Sequence, residues 1–421
     1  MTSFKTLPDG PLTLRNVTVP GCILQSPQDL VRTDLHIADG RLTGRPGQPV
    51  EMGGAMVFPC FIDMHTHLDK GHIWPRSPNP DGTFMGALTT VGADRMARWS
   101  AEDVRRRMEF SLRCAHAHGT RAIRTHLDSL APQDEISWPV FAEMRERWKG
   151  RIELQASNLV AVDTADFEGR FLRTVELVVE HGGVLGMVTY PCPDLEDRLL
   201  AFLKLAEANG LDVDFHVDET MDPSVDSLRT IAQTVIATGF PNRVTVGHCC
   251  SLSTQDADTA AHAMDLVAAA GLHVVSLPMC NLYLQDRGSG TPRRRGITLV
   301  HELKARGVNV SFASDNTRDP FYAYGDLDMI EVMRQATRIG HLDHSETDWT
   351  NAFLANPARA CNLQPPSLAP GAPADLVICK GRDWTELFAR PQSDRIVLRD
   401  GRAIDTALPD YSELDDLMEP A

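Results

Sequence analysis

Strand patterns alternate with amphipathic helix patterns through the middle of the chain, from about residue 55 to 365. Helix patterns lie near 137–149, 168–182, 195–209, 224–238, 254–270 and 297–306, and another begins at Ser100, where Asp103 completes a capping signal. The eight strand patterns are Ala55–Phe58 continuing toward His65, Arg121–Arg124, Ile152–Gln155, Gly186–Tyr190, Leu211–His216, Arg243–His248, His273–Leu277 and Val308–Ala313. Eight such units predict an α/β fold of the (β/α)8, TIM-barrel type.

The two ends of the chain carry a different pattern. Residues 11–52 and the last fifty residues contain short alternating stretches with Gly and Pro between them, and an Asp400-Gly401 turn marks a hairpin. We therefore expect residues 1–58 and 366–421 to form one small, discontinuous β-sandwich, and residues 59–365 to form the catalytic barrel. The acidic tail from Asp410 to Glu419 is expected to be a solvated end.

Charge and cysteine content restrict the partners and the compartment. The 421 residues include 41 Lys and Arg against 57 Asp and Glu, a net charge of −16, which argues against nucleic-acid binding. The nine cysteines form no C-x-x-C pair, as is typical of reduced thiols in the cytoplasm. We also expect no secretory leader and no membrane segment, because the N-terminus lacks an apolar core and no run of 18 apolar residues occurs.

Histidines and carboxylates lie where several predicted strands end. In a barrel of this kind, side chains at the carboxyl ends of the strands converge on one mouth. Alternate residues of a strand point to the same side, so an H-x-H pair offers two imidazole nitrogens to one metal. The residues at these ends are His65 and His67 after the first strand, His216 and Glu219 at the fifth, His248 at the sixth and Asp315 at the eighth.

Longer segments around these residues resemble the amidohydrolase superfamily, and within it the bacterial cytosine deaminase branch. H-x-H alone is found throughout the superfamily, whereas the asparagine-to-glutamine segment and the Arg-Gly-Ile-Thr run are more specific to that branch. The matching segments are Pro59-x5-His65-x-His67-Leu-Asp, Arg124-Thr-His126-Leu-Asp128, Phe215-His216-Val-Asp218-Glu219, Arg243-Val-Thr-Val-Gly-His248, Pro278-Met-Cys-Asn281-Leu-Tyr-Leu-Gln285, Arg294-Arg-Gly-Ile-Thr298 and Phe312-Ala-Ser-Asp315-Asn316.

The resemblance implies one divalent metal ion, zinc or iron, held by His65, His67, His216 and Asp315. Related enzymes with two metals use a lysine at the end of the fourth strand, and Gly186–Tyr190 contains none. The resemblance also implies a homo-oligomer.

Three residues receive catalytic roles. Glu219 is expected to carry a proton to the substrate ring, because a ring amidine is attacked most easily when its nitrogen is protonated. His248 is expected to position the hydroxide that a metal supplies at neutral pH. Asp315 can take the proton of the water and pass it to the departing ammonia.

The residues expected to contact the substrate depart from the cytosine deaminase pattern. Ala161 stands where a gapless match places the glutamine that binds the pyrimidine edge, and Asn158 or Gln155 are the candidates to replace it. Asn316 replaces an acidic residue and Phe321 replaces a tryptophan. Gln285 either approaches the substrate or braces a loop, and His126 and Asp128 either reach the pocket or form structural hydrogen bonds beneath the metal.

The sequence therefore predicts a metal-dependent deaminase that converts the exocyclic amine of a cytosine-like heterocycle to a carbonyl and releases ammonia. An alternative is an amidohydrolase of the same fold that acts on a cyclic amide or an N-substituted aminotriazine. The zinc deaminases that act on flipped bases are excluded, because no P-C-x-x-C motif is present. A barrel that has lost its chemistry is disfavoured, since every expected metal and catalytic position holds a competent residue.

Overall fold

Strands and helices alternate through the middle of the chain, as predicted. The computed structural model describes residues 3–419. In chain order the strands are β1 (Leu12–Pro20), β2 (Leu30–Ala38), β3 (Arg41–Thr43), β4 (Gln48–Glu51), β5 (Met56–Pro59), β6 (Phe61–Thr66), β7 (Thr120–Asp128), β8 (Glu153–Leu159), β9 (Leu185–Thr189), β10 (Val213–Val217), β11 (Val244–His248), β12 (His273–Ser276), β13 (Asn309–Phe312), β14 (Leu376–Cys379), β15 (Ile396–Arg399) and β16 (Arg402–Ala403).

The helices lie mostly between successive parallel strands along the chain. They are α1 (Phe84–Arg98), α2 (Ala101–His118), α3 (Asp134–Arg147), α4 (Arg170–Glu180), α5 (Leu195–Ala208), α6 (Ser227–Thr238), α7 (Ala257–Ala269), α8 (Pro278–Leu284), α9 (Val300–Ala305), α10 (Met329–Gly340), α11 (Ala355–Ala360), α12 (Trp384–Ala389) and α13 (Asp415–Met418). Short 3-10 turns occur at Gly21–Leu24, Cys250–Ser253, Leu342–His344, Trp349–Phe353 and Tyr411–Leu414.

Eight parallel strands form two sheets, β6-β7-β8 and β9 to β13 in sequence order. Isolated parallel bridges join the sheets at both junctions: Ser157 with Val184 and Ala161 with Val188 on one side, and Thr66 with Asp315 on the other. The α/β class is therefore confirmed. Both faces of the central strands are covered, since every residue of β10 is buried, as is typical of parallel strands packed against helices.

The first predicted strand is divided in two. Residues Met56–Pro59 pair with β14, whereas Phe61–Thr66 pair with β7. Cys60 lies between them and donates its backbone N–H to Asp375 O at 2.9 Å. Pro59 has no N–H to continue a ladder, so the chain leaves one sheet there and enters the next.

Both termini contribute to one mixed sheet of eight strands in the order β16-β15-β14-β5-β1-β2-β3, with β4 beside β1. Leu14, Ile37 and Leu376 pack on one face of it, and Phe58 and Val377 face the core of the parallel strands. The predicted sandwich would consist of two facing sheets. The hydrogen bonds instead form one continuous path, because β14 joins the C-terminal hairpin edge to edge with β5, so the predicted sandwich is not confirmed.

The acidic C-terminal segment, residues 410–419, contacts the outer face of α2, which corrects the expectation of a solvated end. Arg106 Nη1 donates to Asp416 Oδ2 at 2.5 Å, and the rings of Phe110 and Tyr411 stack at 5.5 Å between centroids. Leu414 is buried against α2. Among the described residues, no helix is long and apolar enough to cross a membrane.

Candidate active site

The carboxyl ends of three parallel strands bring the four predicted ligands to one place. His65 is on β6 and His67 follows it, His216 is on β10, and Asp315 lies three residues beyond β13. The bridge between Thr66 and Asp315 fixes the last of these, because Asp315 N donates to His65 O at 2.9 Å and Thr66 Oγ1 donates to Asp315 O at 2.7 Å. The closing junction of the two sheets therefore also sets the position of the carboxylate.

The four side chains converge within a few ångströms. His65 Nε2 lies 3.1 Å from His216 Nε2, which lies 3.5 Å from His67 Nε2. Asp315 Oδ1 lies 3.2 Å from His67 Nε2 and 3.6 Å from His65 Nε2. All four side chains are buried.

Several polar atoms of this group have no partner among the described residues. They include the Nδ1 atoms of His65, His67 and His216 and both carboxylate oxygens of Asp315. Burial is the main reason why the pKa of each of these histidines lies well below its usual value, so the rings are neutral and carry lone pairs. Converging lone pairs repel one another unless a cation lies among them, and three imidazoles with one carboxylate suit zinc or ferrous iron. The residues present fit such an ion.

His126, on β7, joins this group without having been predicted as a ligand. Its ring centroid is 4.0 Å from that of His65 and 4.7 Å from that of His216, and these three histidines form a second possible metal-ligating group. Both of its ring nitrogens lack a hydrogen-bond partner within residues 3–419, which disagrees with the expectation of structural hydrogen bonds. The Arg124-Thr-His126 segment was the sequence signal for this position.

Glu219 and His248 lie beside each other and share one partner. Asn281, on α8, donates from Nδ2 to His248 Nδ1 at 2.9 Å and to Glu219 Oε1 at 3.3 Å. Because Nδ1 of His248 accepts, the ring hydrogen belongs on Nε2, which has no partner within the described residues. Asn281 was quoted in a motif but given no role. Its spacing of four residues from Gln285, on one face of a helix, was the available signal.

Burial shifts the acidity of the two carboxyl groups upward. It raises the pKa of Asp315 to about 8, and it raises that of Glu219 well above its usual value, with the Asp315 charge as the next cause. The pKa of His248 is lowered by burial to about 3. Glu219 thus holds a proton readily and His248 stays neutral at physiological pH.

Two of these residues have left-handed backbone conformations. The φ angle is +68° at His248 and +64° at Asp315. Residues other than glycine rarely adopt such angles, and they concentrate at functional sites, where the surrounding structure maintains the strain. Both lie where a strand turns into its loop, and this turn aims the side chains across the ends of the sheets.

Asn158 does not offer its amide to a substrate. Its Nδ2 donates to Gly186 O at 2.8 Å, and Gly186 N donates to its Oδ1 at 2.7 Å. The side chain therefore continues the hydrogen bonding between β8 and β9, where the ladder gives way to isolated bridges. Gln155 is occupied by Arg124 and by Cys361 O. This geometry counts against the substrate-binding role that the sequence predicts for Asn158.

The other predicted pocket residues lie near the centre. Gln285 donates from Nε2 to Glu219 O at 3.3 Å and so braces the loop that carries this carboxyl. Asn316 donates to Asp319 Oδ2 at 2.8 Å, and Asp319 in turn accepts from the backbone N–H of Phe321 at 2.8 Å. The Phe321 ring is 8% exposed and packs edge-on against Phe84.

Comparison with known proteins agrees with this geometry. The model of the amidohydrolase family matches residues 185–404. The chain is 53% identical over 415 residues to the pterin deaminase of Rhizobium rhizogenes strain K84, a match that covers 96% of this chain and 94% of the relative. The chain belongs to the amidohydrolase family. The resemblance seen in the sequence is thereby confirmed.

More distant members of the family are also similar. The N-isopropylammelide isopropyl amidohydrolase of Pseudomonas sp. strain ADP is 24% identical over 308 residues, 70% of this chain and 71% of the relative. Among solved structures, the 5-methylcytosine deaminase of Klebsiella pneumoniae liganded with 5-fluorocytosine aligns with a TM-score of 0.77 at 24% identity, covering 93% of this chain and 97% of that one. This amidohydrolase therefore has the same overall fold as that enzyme.

Proposed function

We propose that this amidohydrolase is a metal-dependent hydrolytic deaminase, and that its substrate is a pterin-like heterocycle rather than cytosine. The observation that carries the proposal is the convergence of His65, His67, His216 and Asp315 beside Glu219 and His248. The relative that shares 53% of the sequence is a pterin deaminase, which directs the choice of substrate. The reaction exchanges the exocyclic amine on an amidine carbon for oxygen.

His65, His67, His216 and Asp315 would hold one divalent ion, zinc or iron. When bound, such an ion acts as a Lewis acid and lowers the pKa of a water molecule toward neutrality. The neighbouring His126 ring would lie behind these ligands as a further imidazole. In the described chain β9 supplies no lysine to this place, in keeping with a single ion.

The protein's own groups move the protons. Glu219 would donate a proton to the ring nitrogen next to the amidine carbon while the oxygen of water adds to that carbon. Asp315 would accept one proton of the attacking water and return it to the amine, which leaves as ammonia when the C–N bond breaks. The remaining proton on the new C–O–H group would return to Glu219 as the carbonyl forms, which restores Glu219 for the next turnover. The Nε2 hydrogen of His248 would orient the attacking oxygen, and Asn281 would hold both His248 and Glu219 in place.

The pocket suits a fused two-ring substrate. In the loop after β8, Ala161 stands where the cytosine deaminase branch has a glutamine, and its neighbours Val160 and Val162 are buried and apolar. A small apolar loop leaves room for a second ring and supplies no amide for a pyrimidine edge. Phe321 gives a flat apolar wall on which an aromatic ring can pack.

Cleavage of an N-substituted aminotriazine is a second candidate, favoured by the 24% identity to the N-isopropylammelide amidohydrolase. The same groups would release an alkylamine in place of ammonia. The two reactions differ in the leaving group alone, so analysis of the released amine separates them.

The test is an ammonia-release assay with the protein loaded with zinc, iron or manganese. Pterin, cytosine and N-isopropylammelide are the three substrates, and mass spectrometry identifies each product. We expect ammonia and the 2,4-dioxopteridine from pterin, with at least about 100-fold lower kcat/KM on cytosine. Absence of ammonia from pterin at full metal occupancy would refute the proposal, and isopropylamine release would favour the second candidate.

The wider organisation is proposed on the same basis. The two parallel sheets and their bridges support one closed (β/α)8 barrel over residues 59–365, with residues 1–58 and 366–421 forming a separate small domain. Homo-oligomeric assembly and a cytoplasmic location belong to the same proposal.

A further inference from the structure

A buried lysine lies beside the candidate site and has no part in the chemistry described so far. Lys70 follows His67 by three residues, and its side chain is 5% exposed. Its Nζ lies 3.0 Å from Asp128 Oδ1, and the other oxygen of Asp128 lies 2.9 Å from Arg95 Nη1. Two cations therefore share one carboxylate.

The neighbouring Asp69 carboxyl forms no ion pair with Lys70 or Arg95 within the described residues. Asp69 Oδ2 accepts from Asp128 N and from Ser137 Oγ, at 2.9 and 3.2 Å. Lys70, Arg95 and Asp128 together thus carry an excess of one positive charge at the edge of the pocket.

The lysine also has unused hydrogen-bonding capacity. An ammonium group has three hydrogens, and Asp128 is its one hydrogen-bonding or ionic partner within residues 3–419. A buried charge with few partners is expensive and persists where something else uses it. The direction in which the Lys70 ammonium faces indicates what its binding partner could be.

Lys70 faces the catalytic centre and the wall of the pocket. Its Nζ lies 5.2 Å from the centroid of the Phe321 ring, the flat surface proposed for the substrate. Lys70 also follows His67 by three residues, which places it at the same end of β6 as the predicted ligands. A substrate ring bound between Phe321 and the histidine centre would therefore come close to this ammonium.

We propose that Lys70 determines substrate specificity by donating a hydrogen bond to an oxo group on the substrate ring, next to the amidine that reacts. This inference rests on the proposed function and adds to it that the substrate is a 2-amino-4-oxo heterocycle rather than any aminated ring. A cation at the oxo oxygen binds the ring and stabilises the negative charge that develops when the amidine carbon is attacked. Asp128 holds the ammonium in place.

The experiment compares two substrates that differ in the oxo group alone, pterin and 2-aminopteridine. The wild type, Lys70→Met, Lys70→Arg and the control Arg95→Met are loaded with metal and assayed for kcat and KM. When 2-aminopteridine is not turned over, its inhibition constant against pterin replaces kcat/KM. Metal content and thermal unfolding are measured for each variant.

Lys70→Met should lower kcat/KM for pterin on the order of 10- to 100-fold, the range for a hydrogen bond to a charged group, and should change the value for 2-aminopteridine less than about 3-fold. Lys70→Arg keeps the charge and should recover part of the preference for pterin. Arg95→Met, which removes the other cation on Asp128, should keep the preference.

The inference is overturned when Lys70→Met and Lys70→Arg retain the wild-type preference for pterin, or when Arg95→Met loses it equally. If the Lys70→Met protein is insoluble, Lys70→Arg decides the test. It must then show a weaker preference for pterin over 2-aminopteridine than the wild type does. Failure of the proposed function has a different signature, because the wild type itself would then release no ammonia from pterin.

Discussion

Two buried charged regions of this protein are built on opposite principles. At the catalytic centre, Asp315 is 1% exposed, and neither of its carboxylate oxygens has a hydrogen-bond partner within the described chain. At the base of the terminal sheet, Arg395 is 3% exposed, and its guanidinium donates to both oxygens of Asp328 at 2.6 Å and to three backbone carbonyls.

The difference separates residues kept for chemistry from residues kept for the fold. Burying a polar atom without a hydrogen-bond partner lowers the stability of the fold. The unpaired atoms of the centre therefore cost stability and leave these atoms free to bind a ligand. A satisfied ion pair does the reverse, because removing one member leaves the other buried and alone. Substitutions in the two regions should therefore affect opposite properties.

The largest effect is expected at the centre. Asp315→Asn, which tolerates the left-handed backbone, and His216→Asn should each lower turnover by at least about 10³-fold, because the loss of Lewis-acid activation is worth several kcal/mol. Metal content should fall together with activity. Each metal-free variant should unfold at a denaturant concentration equal to or higher than that of the metal-free wild type. His344→Asn, on a side chain that is 94% exposed, is the matched control. An Asp315→Asn protein that is less stable but fully active would contradict the view that Asp315 is kept for chemistry at the expense of stability.

A smaller loss is expected when proton transfer alone is removed. Glu219→Gln should keep the metal and the fold and lower kcat by about 10²- to 10⁴-fold, the usual contribution of a positioned general acid. Glu180→Gln on the exposed face of α4 serves as the control. Metal analysis and ammonia release on the same preparation give the result, and normal turnover would show that Glu219 does not carry the proton.

Breaking the structural ion pair should affect stability and spare the chemistry. Arg395→Met should lower the free energy of unfolding by about 3–5 kcal/mol, since Asp328 is left buried and unpaired. The double variant Arg395→Met with Asp328→Leu should recover part of this loss. Equilibrium denaturation measures both, and kcat per folded molecule should stay within about 2-fold of the wild type. A large fall in kcat at unchanged stability would contradict the comparison.

The smallest effect is the pH dependence of the same pair. Burial opposes ionisation of Asp328, but the Arg395 charge and then His118 lower its pKa to about 2. The unfolded chain has a pKa near 3.9, so the pair stabilises the protein above about pH 4 and loses that contribution as the pH falls toward 2. The stability gap between metal-free wild type and Asp328→Asn should shrink by about 1 kcal/mol from pH 5 to pH 3. A constant gap would be inconsistent with a lowered pKa.

The sequence predicted most of the helices and strands in which apolar residues recur at a regular spacing. The capping signal at Ser100 is confirmed, because its side chain accepts from Asp103 N at 3.2 Å and α2 ends at Gly119 with φ of +93°. Helix α10 was missed although it has a regular apolar face. Helix α1 has no such face: Met85 and Met96 are exposed, 62% and 70%, so its sequence carries little helical pattern.

At the site, the predictable residues were those placed by strand ends. The convergence of His65, His67, His216 and Asp315 follows from the topology of parallel strands, whereas their assignment as ligands of one metal was implied by the family resemblance. The role of Asn158 could not be predicted, because the hydrogen-bond partner of its amide is the backbone of Gly186 on the adjacent strand β9. Lys70 was not predicted either, since its significance depends on Asp128 and Phe321, which approach it through the fold and not through the sequence.

The central claim is that one metal ion held at the histidine centre supports deamination. It is tested most directly by removing the metal with a chelator and restoring zinc or iron in steps, with ammonia release from pterin measured at each step. The account predicts that activity rises linearly and stops at one equivalent per chain in the wild type, and stays absent throughout in the His216→Asn variant. Full activity after chelation, or a requirement for two equivalents, would contradict it.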